Sequence, residues 1–205
     1  GKVDQLTRVF LHVFTLMALI GCIYGLHVKE TGQHIAAFLY VAGSLGVTLC
    51  GDYLTLFIFW ELMAVASTFL IWYRKKKRSV QAGYRYLMVH VAGGLILLAG
   101  IFLRYKNVHD LSFVRIAAQG ASTADYLIMI GFMLNAAVPP IHAWLPDAYP
   151  EASVTGAVFM CAFTTKTAIY TLARAFAGFD ILIVLGVVMA IYGIVYAMIE
   201  NDIRR

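Results

Sequence analysis

Seven uninterrupted apolar runs, each about the length of a membrane-crossing helix, constrain this chain more than any other feature. They cover residues 9–28, 33–51, 53–73, 83–103, 124–141, 152–174 and 181–199. A helix needs about 20 apolar residues to traverse the hydrocarbon core, where its internal hydrogen bonds must satisfy the whole backbone. The runs are continuous rather than alternating, which argues against membrane strands. Of the 205 residues, 61% are hydrophobic and 13% charged, with a mean hydropathy of +0.80. A soluble domain carries about 25% charged residues. So much apolar surface excludes a soluble monomer, and it equally excludes a disordered chain. The expected fold is all-α: one transmembrane domain over residues 1–205, of about seven helices, multi-pass in the inner (cytoplasmic) membrane of a cell.

The formal charge of +5 sits between the apolar runs. It reads as membrane-flanking charge, with the lipid bilayer as partner and no nucleic acid. The turn Arg74-Lys75-Lys76-Lys77-Arg78 holds five successive cations and belongs on the cytoplasmic side. The chain then starts outside, its Arg205 end lies in the cytoplasm, and the connection 104–123 lies outside despite Arg104, Lys106 and Arg115. In that connection, Asp110-Leu111-Ser112-Phe113 has the composition of a cap for a short surface helix. Cys22, Cys50 and Cys161 all fall in apolar stretches without a C-x-x-C pair, so they read as small buried hydrophobes rather than a disulfide framework or metal site. The first residues, Gly1-Lys2-Val3-Asp4, include no initiator Met and no signal-cleavage pattern, and the end at Arg205 follows directly on an apolar run. The expectation is a fragment of a longer protein.

Ionisable residues at the bilayer centre cost about 3 kcal/mol or more and must face protein or water. Glu61, His90 and Lys166 lie inside three different runs, and the polar Asn135 lies in a fourth. An opposite charge reverses the drive of a buried Glu or Lys towards neutrality, so a Glu–Lys couple that changes its spacing can exchange protons. The bland alternative is a static ion pair between two helices. His90 could shuttle protons or simply bond a neighbouring helix. His12, near a run's end, reads as interfacial, and Trp60, Trp72 and Trp144 as interfacial or packing residues. Gly93-Gly94, with Ala92 and Ala99, suggests close helix packing.

The fifth run contains Pro139-Pro140. Proline has no N–H, so the carbonyls of Asn135 and Ala136 lose their helical partners. Freed carbonyls at membrane depth are tolerated beside protein or a water-filled cavity, and broken helices line ion sites in transporters. A kink at the membrane edge is the competing reading. The segment after the break carries His142, Trp144 and Asp147. Thr164 and Thr165 precede Lys166 and could hold water or bond back to their own helix.

Three segments resemble one family. Gly51-Asp52-Tyr53-Leu54-Thr55-Leu56-Phe57 with Phe59-Trp60-Glu61-Leu62-Met63 resembles the Glu-bearing fifth helix of the antiporter-like subunits. Pro139-Pro140-Ile141-His142-Ala143-Trp144-Leu145-Pro146-Asp147-Ala148, with Glu151-Ala152, resembles their P-x-H-x-W-L-P-D-A signature. Asn201-Asp202-Ile203-Arg204-Arg205 is similar to the N-D-I-K-R after their ninth helix. These are the proton-channel subunits of respiratory complex I, of membrane-bound hydrogenases and of Mrp-type cation/proton antiporters. The resemblance implies that the seven runs are the third to ninth of about fourteen helices. It implies that Glu61 is the fifth-helix glutamate and Lys166 the eighth-helix lysine. The family's seventh-helix lysine stands seven residues before the signature His, and here that position is Asn135, which cannot titrate. His90 is the candidate to take over part of its role. Ser153 departs from the family's E-A-P-T and, with Val154-Thr155-Gly156-Ala157, points towards the D-type subunit of the Mrp antiporters.

The resulting expectation is a transport protein moving protons, with exchange for Na⁺ left open, along an axis of Glu61, His90, Asn135 and Lys166. It would hold no cofactor or metal and work beside other membrane subunits of one complex. The alternatives are a pumping subunit of complex I or of a hydrogenase, and a structural subunit that has lost transport. A membrane hydrolase finds little support, since neither G-x-S-x-G nor H-E-x-x-H occurs.

Overall fold

The computed structural model describes residues 3–201, and its described residues form no strand beyond one isolated bridge. The helices are α1 (Gln5–Gly25), α2 (Thr31–Leu49), α3 (Tyr53–Trp72), α4 (Lys77–Val108), α5 (Thr123–Asn135), α6 (Trp144–Ala148), α7 (Val154–Ala162), α8 (Thr164–Ala175) and α9 (Asp180–Ile199), with a 3-10 turn at Tyr149–Glu151. The all-helical expectation is met among the described residues. Among the described residues, five helices, α1 to α4 and α9, are long and apolar enough to cross a membrane, and α5 is a shorter apolar helix. The run 124–141 stops being helical at Asn135, and the run 152–174 is two helices that part at Phe163. The run 83–103 extends in both directions into the 32-residue α4, about 48 Å at 1.5 Å per residue, because its polar flanks keep helix-forming residues.

Local chemistry explains most boundaries. Asp4 starts α1 by accepting the Thr7 N–H at 2.8 Å, and Asp52 starts α3 through the Thr55 N–H at 2.7 Å. Ser122 and Asp125 form a reciprocal capping box on α5. Ser153, where the family's proline was expected, is the N-cap of α7 and takes the Gly156 N–H at 3.0 Å. No helix forms around Asp110. Its carboxylate instead accepts the Ser112 N–H at 2.9 Å, the Ser112 hydroxyl adds a second bond, and together they hold this exposed carboxyl below its usual range. The segment then bridges to Asp52, with Tyr53 N–H donating to Leu111 O and Phe113 N–H to Gly51 O, both at 2.8 Å. Pairing with an existing backbone edge satisfies these groups without a helix.

Where helices meet in a membrane, small residues let backbones approach. A Cβ on Gly43 of α2 would lie 3.0 Å from the Met63 backbone N of α3, and one on Gly131 of α5 only 2.8 Å from Leu97 of α4. The core between these pairs holds Trp60, Tyr40, Tyr53, Tyr86 and Tyr170, all essentially without exposed surface. Trp60 is thus a packing residue. Cys50 is buried as expected, whereas Cys161 is exposed on this chain's surface. Among its described residues α9 buries none, and it leans on the core through Leu182, Leu185 and Met189.

Charges sort the two ends of the array. At one end Lys75 pairs with Glu30, Arg74 and Arg78 pair with Glu151, and Arg85 grips Asp147. At the other end Arg104 pairs with Asp125, and Arg174 with Asp4. Arg115 donates to the Ala177 carbonyl at 2.9 Å. The unexpected cations in the connection 104–123 are therefore partly neutralised in place, which relieves their conflict with the basic turn at the opposite end.

Candidate functional site

Glu61 sits in the middle of α3, half-buried, and its carboxyl rests on α4 where Gly94 leaves room. A side chain at Gly94 would overlap Glu61 Oε1. Glu61 Oε1 is buried and has no protein hydrogen-bond partner. One turn earlier on the same face of α4 lies His90, 1% exposed. Its Nδ1 meets the Tyr86 carbonyl at 2.9 Å. A carbonyl can only accept, so Nδ1 carries the proton and Nε2 of the neutral ring is the free acceptor. The imidazole stacks on Tyr86, with ring centres 4.0 Å apart, and meets Trp144 edge-on at 4.6 Å. Tyr86 in turn shares a 2.9 Å hydroxyl bond with Ser67 of α3.

Trp144 links this group to the end of α5. Its indole N–H donates to the Leu134 carbonyl at 2.9 Å, and Leu134 packs on Gly93. The next residue, Asn135, is the last of α5 and wholly buried, and neither its Oδ1 nor its Nδ2 has a protein partner. Beyond it, Ala137 takes φ 57°, Pro139 and Pro140 follow, and helix resumes at Trp144. Among the described residues, six of the eight buried side-chain polar atoms without a partner belong to Trp60, Glu61, His90, Asn135 and His142. An orphaned polar atom costs about 1–3 kcal/mol, so its clustering on a few adjoining segments calls for a chemical reason.

The remaining signature residues divide. His142 Nε2 bonds the Tyr192 hydroxyl of α9 at 2.6 Å. With Pro139 and Thr165, the two line a mostly apolar cavity of about 320 Å³. Pro140 is exposed beside it. Asp147 is not in the central group: it forms a two-bond pair with Arg85, both bonds 2.8 Å, at the basic end. Lys166 is also apart. Its ammonium donates to the Cys161 carbonyl at 2.6 Å, its side chain lies on the exposed face of α8, and among the described residues no ion pair joins it to Glu61. The structure thus links Glu61, His90 and Asn135 through Gly94, Trp144 and Leu134, and leaves Lys166 on a separate surface. Of the tail motif only Asn201 is among the described residues; Asp202 to Arg205 lie outside them.

Sequence reasoning missed Glu151 as a buried charge. It is 8% exposed and takes Arg74 at 3.2 Å, Arg78 at 3.0 Å and Ser79 at 3.0 Å. It also missed the Arg104–Asp125 pair, Tyr40 and Tyr86. The two charge clusters had a signal, since each joins a cation and an acid at the edges of apolar runs. The tyrosines had none beyond their type.

The family model described as NADH:quinone oxidoreductase/Mrp antiporter, transmembrane, matches residues 50–205. The chain is 32% identical over 205 aligned positions to NADH-quinone oxidoreductase subunit M of Pseudomonas aeruginosa, covering 84% of this chain and 39% of that protein. It is 28% identical over 188 positions to the A-type Na⁺/H⁺ antiporter subunit of Bacillus subtilis, covering 83% of this chain and 23% of the relative. A chain of the Mrp complex from a Dietzia species superposes with a TM-score of 0.86 at 25% identity, over 98% of this chain and 41% of that one. Respiratory complex I of Thermus thermophilus contains a chain of the same fold, TM-score 0.83 at 20% identity, over 98% and 47%. This chain therefore spans less than half the length of these relatives. With its apolar helices, its signature segment and this match over three quarters of its length, the chain is a multi-pass membrane protein belonging to the NADH:quinone oxidoreductase/Mrp antiporter transmembrane family.

Proposed function

We propose that this chain is part of a membrane protein that translocates protons along Glu61, His90, Asn135 and Lys166, exchanging them for Na⁺ in the manner of a D-type Mrp subunit. In this reading the chain makes seven crossings of a cytoplasmic membrane, with the basic turn 74–78 inside. Beside the five long helices, α5 with the segment through α6 is one crossing, broken at Pro139-Pro140, and α7 with α8 is the other. The parent complex supplies the other membrane subunits, and the seven crossings are the third to ninth of about fourteen.

The observation that carries the reading is the row of buried, unpartnered polar atoms on Glu61, His90 and Asn135. A fold that needed these residues for packing alone would have paired them or replaced them with apolar groups. Glu61 can gain or lose a proton, and His90 Nε2 can accept one. Asn135 cannot titrate, but its amide both donates and accepts, so it can orient hydrogen-bonded groups between titrating neighbours. The carbonyls freed by Pro139 and Pro140 add acceptors beside it. Lys166 supplies a charge whose approach or retreat biases the protonation of the others.

A second reading, a pumping subunit of complex I or of a hydrogenase, is favoured by two relatives: the complex I subunit M at 32% identity, and hydrogenase-4 component B of Escherichia coli, aligned over 100% of this chain at 24%. The test is ΔpH, read with a dye in inverted vesicles holding the complete parent complex, with Na⁺ pulses. Antiport predicts a Na⁺-dependent collapse of ΔpH that Glu61→Gln and Lys166→Ala reduce about tenfold or more at equal expression. ΔpH built by electron transfer and insensitive to Na⁺ would select the second reading. Normal transport in His90→Ala would remove His90 from the axis. Gly94→Ala, which moves the Glu61 carboxyl without removing it, should weaken transport in either case. Unchanged transport in both Glu61→Gln and Lys166→Ala would make this half a scaffold, the role that the untitratable Asn135 also allows.

A further inference from the structure

We infer that Tyr40 of α2 is a positioning residue for Lys166, acting by holding open the interruption between α7 and α8; the inference rests on the transport role proposed for Lys166. Helix α7 ends at Ala162 and α8 begins at Thr164, with Phe163 at φ −113° and ψ −63° between them. In a continuous helix the Thr164 N–H would donate to the Met160 carbonyl and the Thr165 N–H to the Cys161 carbonyl. Neither Met160 nor Cys161 keeps its carbonyl for that purpose. The Thr164 N–H donates instead to the Tyr40 hydroxyl at 2.8 Å, and the same hydroxyl shares a 2.5 Å bond with Thr164 Oγ1. The Tyr149 hydroxyl donates to the Met160 carbonyl at 3.0 Å. The Cys161 carbonyl, left free, receives the Lys166 ammonium at 2.6 Å.

The seat of Lys166 thus exists because the helix is interrupted, and Tyr40 takes the donor that would otherwise close it. Two further contacts hold α8 in register on the same face of α2. Ser44 bonds Thr167 at 2.6 Å, and the Tyr170 hydroxyl donates to the Thr48 carbonyl at 2.9 Å. Residues 40, 44 and 48 recur once per turn of α2, so one stripe of that helix aligns α8 from Thr164 to Tyr170. Lys166 projects from α8 off this stripe, and its reach back to Cys161 depends on where α7 stops. Tyr40 is wholly buried and packs edge-on against Phe163, with ring centres 5.6 Å apart. Tyr40→Phe therefore removes the hydroxyl and keeps the ring packing.

The experiment compares wild type with Tyr40→Phe in the complete complex by two readouts. The first is hydrogen exchange of the peptide covering residues 160–168. Loss of the hydroxyl lets the Thr164 N–H return to Met160, so exchange there should slow; unchanged or faster exchange overturns the closure. The second is the pH profile of transport, which Tyr40→Phe should displace by about half a unit or more. The displacement should vanish in a Lys166→Arg background, where the side chain stays charged throughout. A merely structural role would lower transport at every pH without moving the profile, and that result overturns the positioning role. Tyr149→Phe, which frees the Met160 carbonyl from the acceptor side, is the second variant should Tyr40→Phe not assemble, and it should move both readouts in the same sense. Normal transport in Lys166→Ala would sink the transport reading and this role with it. Lost transport in Lys166→Ala with an undisplaced profile in Tyr40→Phe would overturn the positioning role alone.

Discussion

The chain leaves helical geometry twice around the candidate site, and the two interruptions are made in different ways. After α5 the cause is covalent: Pro139 and Pro140 have no N–H to give, so the carbonyls of Asn135 and Ala136 cannot be capped from within the helix. Between α7 and α8 there is no proline or glycine at residues 157–175. There the freed groups are taken by hydroxyls and an ammonium, from Tyr40, Tyr149 and Lys166. The first interruption lies at two residues that have no N–H to offer a helix. The second is held by partners from other helices, and the role inferred for Tyr40 predicts that it closes when they are lost. The proposed transport site would gain something from each: acceptors beside Asn135 without a helical N–H, and a seat for Lys166 at the Cys161 carbonyl.

The sharpest way to break this contrast is to make the first interruption closable. Pro139→Ala with Pro140→Ala restores two N–H groups, removing a helix penalty of about 3 kcal/mol per proline. Slower hydrogen exchange over residues 136–141 and loss of transport are expected. Exchange that does not change would mean that tertiary contacts, and not the prolines, hold this segment open. Next comes the anchor of that segment. Glu151→Ala strips the carboxylate from Arg74, Arg78 and Ser79, and should lower the stability of the complex by about 3 kcal/mol, read as a lower melting temperature. Smaller still, Trp144→Phe removes one hydrogen bond to Leu134 and should cost about 1 kcal/mol while leaving the fold intact. Its value lies in transport: a clear loss there would tie the end of α5 to His90 through the indole. At the bottom of the scale is Lys75→Ala. The Lys75–Glu30 pair is exposed, with side chains 67% and 43% accessible, so removing it should change stability by less than about 1 kcal/mol, and by less again in high salt.

Much of the fold was legible because its causes are local. Long apolar runs required helices, and the glycines at 93 and 94 marked a close approach of neighbours. Glu61, His90 and Asn135 stood out because polar groups are costly at membrane depth. What stayed hidden depends on contacts between distant residues. The seat of Lys166 on the Cys161 carbonyl was not legible, since depth in a helix says nothing about rotation around it. Asp147 was legible only as a signature residue after the break, and its tie to Arg85, 62 residues away in sequence, was not. The expected cap at Asp110 failed because a nearby backbone edge offered better partners.

The sequence by itself determined that this chain is helical and membrane-embedded, and which polar residues must be sheltered from lipid. Each of these follows from the free energy of single groups or of near neighbours, which one dimension is enough to read. Only the tertiary structure decided that Glu61 lies on Gly94, that His90 reaches the end of α5 through Trp144, and that a hydroxyl from α2 accepts the Thr164 N–H where α7 and α8 part. The physical reason is that a freed backbone N–H or carbonyl accepts whichever partner comes within about 3 Å, and which residue does so is settled by the packing of all the helices together.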